Sequence, residues 1–213
     1  MWTITGFFSN LFKVFFPPSC LGCKSKNVSI CRTCLQKVSR AVEAPYIYMT
    51  SIYSYKDQLI RNSIRKIKYY HRKDLIDPLT DELAKEILNE ANGYRLMAND
   101  WTLVPIPMSR FRKYMRGYNQ AELIATSLGE KCNIHVDHSV LKRSRSPISQ
   151  VHTRTRSERL KNQNNSFKVC KDIKGRNFIL VDDVTTTGAT ISEARKQLLK
   201  TGAREVLAVT IAH

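Results

Sequence analysis

Two rhythms of apolar residues run along this chain of 213 residues. Short unbroken runs at 102–107, Phe178–Val181 and Val206–Ile211 predict strands buried on both faces of a parallel sheet; prolines end the first. Apolar positions three and four apart predict helices over Ser63–Lys68 and through Ile76, Leu79, Leu83 and Ile87, with Asn92-Gly93 as the stop. A third such pattern starts at Gly188 and uses Ile191, Ala194, Leu198 and Leu199. Asn119 with Glu122, ahead of Leu123, Ile124 and Leu128, has capping-box spacing, as does Thr190 with Glu193. Tyr46–Tyr55 reads as another strand, and Val140-Leu141 and Phe167–Val169 as short ones. Strands and helices alternate, which predicts an α/β domain on a mainly parallel sheet flanked by helices.

The run Phe178–Val181 leads straight into Asp182 and Asp183, then Thr185, Thr186, Thr187, Gly188 and Thr190. A strand, a tight turn and a helix start make an anion seat, because turn N–H groups and the positive helix end converge while threonine hydroxyls add donors. Carboxylates repel phosphate, so the aspartates should face another part of the ligand, such as the vicinal hydroxyls of a sugar. No Gly-Lys-Ser/Thr follows, which disfavours a P-loop. The plain alternative is a buried strand ending in a solvated acidic turn.

A second loop follows Pro105–Pro107 and carries Arg110, Arg112, Lys113, Arg116 and Gly117 before a capped helix at Asn119, Gln120 and Glu122. It can receive another anion, or be an exposed basic loop. Residues 142–165 are polar and basic, and read as a lid over a charged ligand or as a mobile nucleic-acid-binding tip.

Net charge changes the picture. The chain carries +17 and a pI near 9.8, against a hydrophobic content of 42% that suffices for a core. Arg61–Lys73 holds six basic residues and no acid, with Tyr69 and Tyr70 interleaved. That excess exceeds what a small phosphorylated ligand needs and points to a polyanion, with Arg65, Lys66, Lys68, Arg72 and Lys73 as candidate nucleic-acid contacts.

Four of the six cysteines form two C-x-x-C knuckles, Cys20/Cys23 and Cys31/Cys34, separated by seven residues. Four converging thiolates close a tetrahedral zinc shell with no open position, so the expected metal is structural. Disulfides or a redox pair are the competing readings. Cys132 and Cys170 are assigned no role. Phe8, Leu11, Phe12, Phe15 and Phe16 fit an amphipathic helix that packs against the body or touches a membrane. The segment lacks the basic n-region and cleavage site of a signal peptide, and no stretch is long enough to span a bilayer. The expected organisation is an apolar segment at 1–16, a zinc module at 17–42 and the main domain at 43–213.

The aspartate–threonine string resembles the signature of type I phosphoribosyltransferases. Together with Phe16-Pro17-Pro18, the knuckles, Lys66–Tyr69, Val104–Pro107 and Arg116–Glu122, it resembles the ComF family over nearly the whole chain. The resemblance implies phosphoribosyl pyrophosphate as ligand, with Asp182 and Asp183 on the ribose and Thr185–Thr190 around the 5′-phosphate. Arg110, Arg116, Gly117, Asn119, Gln120 and Arg159 would attend pyrophosphate or the lid, and magnesium would bridge pyrophosphate and ribose. The family's lid pattern falls on Gln150, Glu158-Arg159 and Asn162. It also implies a cytoplasmic protein in natural transformation, with single-stranded DNA and the import machinery at the inner membrane as partners. Two other readings stay open: a DNA-binding competence factor that senses the ligand without turnover, and a nucleobase salvage enzyme. No residue stands out as a general base.

Overall fold

The computed structural model describes residues 17–42, 44–88, 101–144 and 166–213. The expected segment 1–16, the Asn92-Gly93 stop and the stretch 145–165, with Gln150, Glu158, Arg159 and Asn162, lie outside the described residues. In chain order the elements are α1 (Arg32–Gln36), β1 (Met49–Tyr53), α2 (Gln58–Tyr69), a 3-10 turn (Lys73–Leu75), α3 (Ile76–Leu88), β2 (Trp101–Pro105), α4 (Arg110–Arg116) and α5 (Gln120–Cys132). There follow β3 (His135–Val136), β4 (Leu141–Arg143), β5 (Phe167–Val169), β6 (Asn177–Val184), α6 (Ala189–Lys200) and β7 (Glu205–Ala212). The expected fold class holds. Five parallel strands are ordered β1-β7-β6-β2-β3, beside a two-stranded antiparallel sheet of β4 and β5.

The unbroken apolar run of β6 serves two faces by strand alternation. Ile179 and Val181 join Leu103, Val209 and Ile211 under α2, α3 and α5, against Ile64, Leu83 and Ile124. Phe178 and Leu180 join Val104 and Ala208 on the other face, under Ile191, Ala194 and Leu198 of α6. α2 begins at Gln58, because Asp57 caps it by accepting from the Leu59 N–H at 2.8 Å.

Several local expectations change. The strand at 46–55 shortens to Met49–Tyr53, while Tyr46 and Tyr48 stack with ring centroids 5.1 Å apart. Thr190 and Glu193 form no capping box: α6 starts from Gly188 without a side-chain cap, and Glu193 accepts from Gln197 Nε2 at 2.9 Å. At Asn119 half of the box forms. Its side chain accepts from the Ala121 N–H at 3.2 Å, while Glu122 pairs with Lys113 at 3.3 Å.

Strand order makes the crevice. β2 and β6 are neighbours, with Pro105 beside Val181, yet the chain leaves β2 toward β3 and leaves β6 toward β7. The two loops diverge at the carboxyl ends of adjacent strands, which opens the sheet edge to a ligand at that point.

Candidate functional site

Both anion-binding loops expected from the sequence start at this switch point. Asp182 and Asp183 close β6. The Asp183 N–H donates to Asp182 Oδ1 at 2.8 Å, and this fixes the pair relative to each other. Asp183 is 8% exposed, and the Lys68 ammonium from α2 lies 2.8 Å from its Oδ2. That oxygen nevertheless has no partner in hydrogen-bonding orientation, so the contact is an ion pair with an acceptor left over. Asp182 is half-buried. Burial first, and the charge of Asp183 second, push its carboxyl up to about 7, against the pull of Lys68 and Arg143.

The raised Asp182 pKa has a stability consequence. The unfolded chain releases this proton near an ordinary carboxylate pKa of about 3.9. The stabilisation is therefore full below that pH and is lost as pH rises through about 7. Asp182→Asn should match the parent in thermal melts at pH 4 and exceed it at pH 8. Partial water contact holds the gain to about 1–2 kcal/mol, roughly 3–6 °C. A difference that does not change with pH would refute the assignment.

Beyond the aspartates, the buried Thr185 is tied to β7, its N–H donating to the Ala212 carbonyl at 3.0 Å. The next three N–H groups, of Thr186, Thr187 and Gly188, have no acceptor among the described residues. Thr186, Thr187 and Thr190 are exposed around them. Gly188 turns the chain into α6 at φ 71°, and a Cβ there would sit 2.6 Å from the Tyr46 ring. The loop is a row of open donors at the start of a twelve-residue helix.

The loop after β2 divides the second group of expected residues. Arg110 and Lys113, with Lys142 and Arg143 opposite, line a cleft of about 540 Å³ beside Pro107 and Met108. Gly117 takes the left-handed C-cap of α4 at φ 74°, a backbone conformation that glycine adopts without strain. Asn119 and Gln120 are interior. Asn119 Nδ2 donates to the Ile106 carbonyl at 3.0 Å, and Gln120 Oε1 accepts from Arg116 Nη1 at 3.2 Å. The Tyr118 hydroxyl donates to the Ile67 carbonyl. These residues brace the loop against α2 and leave cations facing the cleft.

Of the expected nucleic-acid contacts, Arg65 and Lys73 are exposed, and Lys66 lies over the Tyr70 ring at 5.3 Å. Arg72 makes two 2.8 Å hydrogen bonds to Asp74, and Lys68 faces the site. The role of Lys68 at Asp183 was not visible in the sequence, nor was that of Arg143, which feels the Asp182 charge from β4. A basic residue one position before the end of a helix carries no local sign of a distant carboxylate.

The knuckles bring the ligand atoms of Cys20, Cys23, Cys31 and Cys34 within 4.8 Å of one another, and the group can hold a metal such as zinc. Gly22 is required here, since a Cβ would lie 2.6 Å from Cys34 Sγ. The sulfurs crowd one another. Cys34 is pushed up to about 12 by its hydrogen bond to Cys31 and by desolvation, while Ser25 lowers Cys23 to about 6. Such a set ionises together only around a cation. The cluster is docked on the body through Ile30 and Val38, which belong to the core under α2 and α3, and through Ser29, which donates to Asp74.

The family pattern for the phosphoribosyl transferase domain matches residues 67–213. The chain is 29% identical over 176 residues to the DNA utilization protein YhgH of Escherichia coli (strain K12), covering 83% of this chain and 74% of that protein. It is 26% identical over 180 residues to competence protein ComFC of Bacillus subtilis (strain 168), covering 82% and 68%. A solved phosphoribosylpyrophosphate synthetase from Mycobacterium smegmatis aligns at 24% identity and TM-score 0.35, over 60% of this chain and 33% of that one. The chain thus spans a third of the length of that synthetase. By the domain match, the YhgH and ComFC relatives and the four-cysteine cluster ahead of the domain, the chain belongs to the phosphoribosyl transferase domain family as a ComF-like protein.

Proposed function

We propose that the crevice between β2 and β6 binds phosphoribosyl pyrophosphate with magnesium, and that the chain is a phosphoribosyltransferase-type protein acting on or beside DNA during its uptake and use. One observation carries this reading: an aspartate pair, a row of open backbone donors and a cationic cleft converge at one switch point. Asp182 and Asp183 accept from the ribose hydroxyls. The N–H groups of Thr186–Gly188, with the hydroxyls of Thr185, Thr186, Thr187 and Thr190, surround the 5′-phosphate. Arg110, Lys113 and Arg143 face pyrophosphate, and Arg116 with Gly117, Asn119 and Gln120 braces the loop behind them.

The carboxylate oxygens are hard donors suited to magnesium, and Asp183 Oδ2 is buried with no hydrogen bond. Magnesium, when bound, neutralises pyrophosphate charge. In the transfer, the bond from C1 of the ribose to the pyrophosphate oxygen breaks and its electron pair leaves on pyrophosphate. The acceptor's nucleophile bonds to C1, and its proton passes to solvent. The fixed N–H groups, cations and carboxylates act by positioning and by electrostatics.

The names of the relatives, DNA utilization and competence, together with the +17 charge, support single-stranded DNA as partner. No helix among the described residues is long and apolar enough to cross a membrane. The proposed location is the cytoplasm, at the inner face beside the import machinery. The proposed organisation keeps a zinc module at 17–42 ahead of a domain at 43–213.

The test measures pyrophosphate release from phosphoribosyl pyrophosphate and magnesium, with and without single-stranded DNA. Release should fall about 100-fold or more in Asp182→Asn/Asp183→Asn. A second reading, binding without turnover, is favoured by the Lys68–Asp183 ion pair, which already neutralises the site. It is adopted if the ligand binds and no release occurs with any acceptor, nucleobases included.

A further inference from the structure

α4 has a second side. Away from the cleft, a groove of about 250 Å³ runs between α4 and the end of α2, lined by Tyr69, Phe111, Met115, Lys68, Arg112 and Arg116. Phe111 is 73% exposed, Met115 65% and Tyr69 63%. Large apolar side chains left this open in one place mark a contact surface. The two tyrosine rings at the end of α2 each have a cation in attendance. The Arg116 guanidinium lies 5.2 Å from the Tyr69 centroid, and Lys66 lies 5.3 Å from that of the neighbouring Tyr70. Rings set among cations offer the two things a single strand needs, a stacking platform for unpaired bases and charges for its phosphates. An acidic peptide would need the cations but not the rings. A bilayer would need the apolar groups on a convex face, and here they line a concavity that a flat base can enter.

Lys68 belongs to both places. It lines the groove, and its ammonium pairs with Asp183 at 2.8 Å. One ammonium serves one anion well at a time. We infer that the groove holds an unstacked base of a single-stranded nucleic acid, and that Lys68 is shared between the strand's phosphate and Asp183, so that occupying Asp183 tightens the strand. The coupling rests on the reading of Asp183 as a ribose and magnesium ligand, whereas the groove does not. By linkage, the strand must tighten the sugar phosphate by the same factor.

Fluorescence anisotropy of a labelled oligothymidine at pH 8 and fixed salt tests this. Phe111→Ser should weaken binding about 5–10-fold, and Tyr69→Ser similarly. Asp183→Asn releases Lys68 and should tighten the strand about 5-fold with no other ligand present. Asp182→Asn removes the same charge without freeing Lys68 and should change little. Phosphoribosyl pyrophosphate with magnesium should tighten the parent and not Asp183→Asn. Equal tightening by both aspartate variants overturns the sharing of Lys68. Unchanged strand binding in Phe111→Ser, with loss of binding to anionic phospholipid vesicles, overturns the base groove. Calorimetry separates the remaining outcomes. Sugar phosphate that binds without moving strand affinity overturns the coupling. Sugar phosphate that does not bind overturns the reading of the crevice, while Asp183→Asn still supports the groove and its lysine.

Discussion

Replacing Cys34 with serine, or stripping metal with a strong chelator, should release one bound zinc per chain and lower the melting temperature by about 10 °C or more. The size of the effect follows from how little else holds residues 17–42 together. α1 is five residues long with no buried residue of its own, so a four-sulfur shell supplies what an apolar core does elsewhere. Cys23 and Cys31 already stand 3.6 Å apart, close to the sulfur separation of a tetrahedral zinc site. Loss would spread, because Ile30 and Val38 are part of the core cluster beneath α2 and α3. Cys132→Ser is the control, since that thiol is remote from the shell. Metal analysis and calorimetry on the same samples decide the matter, and a metal-free protein with an unchanged melt would end the zinc reading.

Gly188→Ala should cost about 2–3 kcal/mol of stability and weaken phosphoribosyl pyrophosphate binding at least about 10-fold. Two penalties combine at this position. The backbone sits at φ 71°, and the new methyl group would meet Tyr46 ring carbons at 2.6 and 3.0 Å. To make room, Tyr46 would have to leave its stack on Tyr48, whose ring has the Arg195 guanidinium 4.1 Å from its centroid. The strain falls on the turn that carries the open N–H groups of Thr186–Gly188. Adding Tyr46→Ala should relieve the contact but not the backbone, and recover part of the stability with little of the binding. Full recovery of binding in that double variant would mean that turn geometry is not what holds the phosphate.

Much of this site was legible in the sequence because its parts are local. Phe178–Thr190 declares a buried strand, a carboxylate pair, a donor-rich turn and a helix start through nearest-neighbour chemistry, and the structure forms each except the capping box at Thr190. That box fails because Gly188 already turns the chain, so the helix begins one residue before Thr190. The cysteine knuckles were legible for the same reason: each pair is brought together by its own turn. Arg116–Glu122 was harder. Its composition announces a basic ligand loop, yet Asn119 and Gln120 point inward, because the loop's orphan carbonyl at Ile106 and the Arg116 guanidinium needed partners.

By itself, then, the sequence determined the α/β class, the two-sided burial of β6, the metal-type cysteine set and the donor-rich turn after the aspartates. These depend on spacings of a few residues, which periodicity and turn propensity encode directly. Only the tertiary structure decided that β2 and β6 are neighbours whose loops diverge. It also decided that Lys68 faces Asp183, that Arg143 stands near Asp182, and that Tyr46 seals Gly188. Those pairings join residues dozens of positions apart, and only the packing of strands, helices and loops brings them together. The charge of Lys68 is written in the sequence, but its partner is a consequence of the fold.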